Sequence, residues 1–219
     1  MRGRFEAERE NAASSQKAQS VSRRELLTGT VATIACAFVP MSSIRLAPVS
    51  SPNEVLTSAE RQCLEAMISR IIPAGPDGPG ALEAGCATYI ELALKDAYQS
   101  HRKAYSSGLA ALDAHAMSRG GKSFTALNTT ERDKVLSDFE QNVNIAGYSD
   151  SAAFFELVRQ HTLEGMFGDP FYGGNVNFAG WDLIGYPGPR MFVSAEIQKM
   201  DAKIPYSRMT EKQLMHGAH

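Results

Sequence analysis

No apolar run in this chain reaches the roughly 18–20 residues that a membrane-spanning helix requires, so beyond its leader the chain is expected not to be integral to a membrane. An excess of charge is missing too. The 22 Lys and Arg nearly balance the 24 Asp and Glu, for a net charge of −2, which leaves no electrostatic case for nucleic acid as a partner. Six of the basic and four of the acidic residues lie in residues 1–37; the remainder carries 16 and 20, a net of −4. A mildly acidic surface argues against anionic lipid or phosphate polymers as ligands. Motifs that carry chemistry are also absent. There is no Gly-x-Gly-x-x-Gly, no phosphate loop, no Cys-x-x-Cys-His haem attachment site and no Gly-x-Ser-x-Gly elbow. Gly173-Gly174 has neither a strand before it nor a helix after it, so it does not read as a dinucleotide turn. Glu-x-x-His, which a di-metal helical bundle would need in two copies, does not occur.

What is present begins with an address. Residues 1–21 are polar, and Ser22-Arg23-Arg24-Glu25-Leu26-Leu27-Thr28 then leads into a moderately apolar run ending near Val39. A charged region, a short apolar region and a small-residue exit make a signal peptide rather than a membrane span. The pair Arg23 and Arg24, with Leu26 and Leu27 behind it, matches the twin-arginine pattern, and Ala35-Cys36-Ala37 offers a cleavage site after residue 37. Acylation of Cys36 is the alternative, with Thr33 where a lipoprotein would carry Leu. The twin-arginine route exports folded proteins, often after a cofactor has been inserted, so the rest of the chain is expected to hold a cofactor or to travel with a protein that does.

Residues 38–56, with three prolines and four serines, read as a linker. The domain is expected over 57–190 and a polar tail, frayed at its end, over 191–219. Thr57-x-x-Glu60 is a capping box, and Leu64, Met67, Ile68 and Ile71 follow at helical spacing until Pro73. Helical stretches are predicted over 81–98 and 101–118. Asn128 with Glu131 caps another, whose inner face is Val135, Leu136 and Phe139. The strongest spans 151–167, with Phe154, Phe155, Leu157, Val158, His161, Thr162 and Met166. No stretch alternates with a period of two, so the fold class is all-α: a small helical domain with a long Gly- and aromatic-rich loop. That loop, residues 168–190, holds six glycines, three prolines and five aromatics, namely Phe171, Tyr172, Phe178, Trp181 and Tyr186. Long irregular loops tend to be functional. Rigid aromatic rings suit a partner interface, with Phe171, Tyr172, Trp181 and Tyr186 as candidates; folding back onto the helices is the other reading.

Two further sets stay open. His161 and Glu164 lie three apart on one helix with Asp169 close behind, a spacing that suits either one metal ion or hydrogen bonds tying helix to loop. His101 and His115 read as surface residues, and Arg159 as an ion-pair partner of Glu156 or Asp169. Cys63 and Cys86 are an even pair that an oxidising compartment would allow to bridge, or else two buried thiols.

The block from His161-Thr162-Leu163-Glu164-Gly165 through Gly168-Asp169-Pro170-Phe171-Tyr172-Gly173-Gly174-Asn175, with Gly180-Trp181-Asp182-Leu183-Ile184-Gly185-Tyr186-Pro187-Gly188 behind it, resembles the C-terminal signature of the gluconate 2-dehydrogenase subunit 3 family. The Leu56-Thr57-x-x-Glu60 start and the Ile71-Ile72-Pro73 helix end are similar to it as well. The resemblance implies a non-catalytic small subunit of a periplasmic, membrane-associated dehydrogenase of sugars or sugar acids. It implies no cofactor in this chain. FAD would be carried by a glucose-methanol-choline-type partner subunit and haem c by a multihaem cytochrome partner. The small subunit would bring the flavoprotein to the Tat translocase.

Overall fold

The computed structural model describes residues 55–216. The expected signal peptide, including Arg23, Arg24, Leu26 and Leu27, and the linker up to residue 54 lie outside the described residues.

The fold is all-α, with no strand among the described residues. Helix α1 (Ser58–Ile71) starts on the predicted capping box: the Thr57 hydroxyl accepts the Glu60 N–H, and the Glu60 carboxylate accepts the Thr57 N–H at 2.8 Å. It buries Cys63, Leu64, Met67 and Ile68 and packs against α2 (Cys86–Lys95), α3 (Arg102–Gly120), α4 (Thr129–Glu140) and α5 (Ser151–Phe167). The apolar stripe of one helix thus becomes the middle of the core. Leu56, assigned to the linker by composition, is buried too and belongs to the domain.

The helix expected over 81–98 is shortened at both ends, α2 stopping at Lys95. Residues 81–85 form turns, and α2 starts only at Cys86, because Gly85 sits in the left-handed region at φ 75°. Asn128 caps α4 as predicted, and α5 keeps its predicted bounds. Where α3 crosses α5, Gly108 has no side chain to hold them apart. A Cβ there would lie 2.3 Å from the Phe154 ring.

Beyond α5 the expected irregular loop is a chain of short helical turns, at Pro170–Tyr172 and Val176–Phe178 and then α6 (Ala179–Ile184). The described part of the tail returns to this loop and reaches α7 (Glu211–His216); residues 217–219, where fraying was expected, lie outside the described residues.

Candidate functional site

The loop is laid directly on the C-terminal end of α5, and glycine makes this possible. A Cβ on Gly174 would stand 2.1 Å from the Gly165 carbonyl oxygen, and one on Gly180 would stand 1.8 Å from that of Met166. Such backbone-on-backbone approach admits no side chain. Asn175, fully buried, pins the arrangement: its Nδ2 donates to Gly168 O and its Oδ1 accepts the Gly180 N–H, both at 2.8 Å. Asp169 caps the next turn, accepting the Phe171 N–H at 2.8 Å.

The aromatics then divide. Trp181 is only 6% exposed, its Nε1 donates to Phe167 O at 2.8 Å, and its ring sits between those of Phe178 and Tyr186. Trp181 is therefore a packing residue rather than the centre of a docking surface: an indole with its one donor satisfied internally closes the loop over α5. Phe171 and Tyr172 are 52% and 55% exposed, and Tyr186 is exposed as well. Phe171 and Tyr172 form one wall of a groove of 510 Å³, with Tyr89, Leu92 and Tyr98 opposite and Lys95 and Asp96 among its other lining residues. Such a volume lies within the range of sites that hold a ligand or an anchoring side chain.

Beside this groove stands a hydrogen-bonded set that sequence spacing half revealed. Glu164 accepts from Tyr89 and Tyr98 hydroxyls at 3.0 and 3.2 Å. His161 is buried, shares a 2.9 Å hydrogen bond between its Nδ1 and the Tyr105 hydroxyl, and stacks on Tyr98 with ring centroids 4.4 Å apart. It ties α5 to α3, not helix to loop. His101 is half-buried, edge-on to both Tyr98 and His161. Burial pushes the Tyr89 and Tyr105 hydroxyls up, with Glu164 adding to the effect, so both remain protonated donors. Burial also holds His161 below the ordinary imidazole range; Glu164 opposes this and His101 reinforces it. Tyr89, Tyr98 and Tyr105 were missed at the level of sequence because they reach the site from α2, α3 and the turn between them. Only their amphipathic positions hinted that they face inward.

Asp169 does not join His161 and Glu164. Its oxygens cap Phe171 and Glu211, and no group of three or more metal-ligating side chains forms among the described residues. Arg159 pairs with Glu156, not with Asp169. His115 is not a surface residue, since its Nε2 meets Asp138 at 2.8 Å and its side chain is 12% exposed. Cys63 and Cys86 are not bridged: both are buried free thiols, Cys63 against the Leu109 carbonyl on α3 and Cys86 where α2 crosses Gly165 of α5. Burial pushes both thiols up to about 12.

The structure therefore defines a helical module whose glycine-set loop presents an exposed aromatic pair above a braced groove. The chain belongs to the gluconate 2-dehydrogenase subunit 3 family, whose sequence model matches residues 58–188. It is thus a small subunit of a dehydrogenase complex and partners other dehydrogenase subunits. No curated protein and no solved structure matches the chain. No helix among the described residues is long and apolar enough to cross a membrane.

Proposed function

We propose that this chain is the non-catalytic small subunit of a periplasmic, membrane-associated, FAD-dependent gluconate 2-dehydrogenase-like complex. It supports the export, assembly and stability of the flavoprotein subunit, which carries the FAD; haem c belongs to a cytochrome partner. The observation that carries this reading is the pairing of the family match over 58–188 with Phe171 and Tyr172, exposed on a loop that backbone contacts hold rigid. An aromatic pair held in place before binding gives up little entropy on docking. The leader supports the export role, because Arg23-Arg24 addresses a folded cargo.

Co-expression of the full chain with its flavoprotein tests both parts. Replacing Arg23 and Arg24 by Lys is expected to leave both subunits in the cytoplasm; a flavoprotein that still reached the periplasm at normal levels would disprove shared export. Phe171→Ala with Tyr172→Ala is expected to weaken co-purification at least tenfold, since buried interface aromatics cost about 2 kcal/mol or more when truncated. The helical circular dichroism should stay unchanged. Trp181→Ala is expected to lower stability instead.

A further inference from the structure

Past Gly188 the chain leaves most of its large apolar side chains in solvent, and of residues 191–206 only Ile197 and Ala202 are half-buried. The Ser207 N–H donates to Pro187 O at 2.6 Å, and a Cβ on Gly188 would lie 2.0 Å from Ser207 O, so residues 189–206 leave the signature loop and return to it at one point. The return is fastened by charge. Arg208 bonds both oxygens of Asp182, at 2.9 and 2.7 Å, and lies 5.9 Å over the Phe178 ring. Asp169 accepts the Glu211 N–H at 2.7 Å, and Lys212 stands 4.8 Å above the Phe171 ring.

Between these fastenings the apolar side chains are uncovered: Met191, Phe192, Val193, Met200, Ile204 and Tyr206 are all exposed, Phe192 at 87%. A segment folded for its own sake does the reverse, and clustered exposed apolar side chains mark an interaction surface. Charge differs as well: residues 189–206 carry three Lys and Arg against two Asp and Glu, whereas residues 55–188 carry ten against sixteen.

We propose that residues 189–206 form a second contact arm for the flavoprotein, seating Phe192 and its apolar neighbours in an apolar groove of that subunit. This rests on the docking reading above. The arm springs from Pro187 and returns to the loop that carries Phe171 and Tyr172, so its tip emerges beside that surface. Nine residues out and nine back reach at most about 30 Å, far enough for a neighbouring patch of the same partner. A tethered second contact strengthens the first by raising effective concentration. A lipid surface fits less well: Glu196 and Asp201 interrupt the arm's basic residues, and the acidic helical body would be repelled by an anionic leaflet.

The test uses the full chain alone and in complex with its flavoprotein. In hydrogen exchange, amides 190–206 are expected to exchange freely in the isolated subunit and at least tenfold more slowly in the complex. Phe192→Ser with Val193→Ser, two exposed side chains, is expected to raise the dissociation constant at least tenfold without changing the melting temperature. A complex that forms with the arm still exchanging freely, and with the double variant binding like the wild type, overturns the arm alone. Protection that needs phosphatidylglycerol vesicles, or that rises with the subunit's own concentration, assigns the arm to lipid or to a second copy and overturns the proposal. If no flavoprotein co-purifies with the wild-type chain, the docking reading falls and the arm falls with it.

Discussion

The side chain of Asn175 lies fully buried in a left-handed backbone conformation, φ 45° and ψ 42°, with its amide spent on Gly168 O and the Gly180 N–H. Few residues other than glycine enter that region readily, and asparagine is one of them. Asn175→Ala strands a donor and an acceptor that are both buried, each at about 1–3 kcal/mol. We expect a loss of about 2–5 kcal/mol in chemical denaturation, with faster amide exchange confined at first to residues 168–181. Wild-type stability in this variant would mean that backbone contacts alone hold the loop. From sequence, Gly173-Gly174-Asn175 reads as a turn, and nothing local says that the amide points inward. His161 and Glu164 were legible as a helical pair, but Tyr105, Tyr98 and Tyr89 stand 56, 66 and 75 residues from their partners. No short-range pattern encodes such distances.

The starts of α1 and α4 were the most legible part of the fold, because they are written in side chains that satisfy free backbone groups. Thr57 with Glu60 and Asn128 with Glu131 both form the reciprocal cap. The short turns after α5 were not legible. Asn177 and Phe178 take positive φ, and the turns owe their shape to the α5 surface beneath them rather than to propensity. How closely helices approach is likewise invisible until they pack. Gly108→Ala would place a methyl group 2.3 Å from the Phe154 ring, although alanine is the better helix former. Packing is expected to win: overfilling a tight core costs about 1–3 kcal/mol, so the melting temperature should fall. Phe154→Leu added to Gly108→Ala should lose less than the two single changes summed, because the pair shares one space.

At the scale of the whole molecule, stability is expected to depend on pH near neutrality. Burial holds both His161 and His115 below the ordinary imidazole range, and the nearby Arg119 adds to this for His115. The unfolded chain therefore takes up these protons first. The stabilisation is complete above the unfolded value of about 6.5 and declines as pH falls from there towards the folded values. Thermal melts should give a lower midpoint at pH 5.5 than at pH 7.5, with a shallower slope in His161→Gln. A flat profile would show that both imidazoles carry charge in the folded state. The two thiols have a different consequence. Cys63 and Cys86 are enclosed separately, and burial keeps both protonated up to about 12. The described domain needs no oxidant or isomerase to finish folding, and its covalent structure is the same on either side of a redox boundary. Under the proposed export, it can be complete before it is moved.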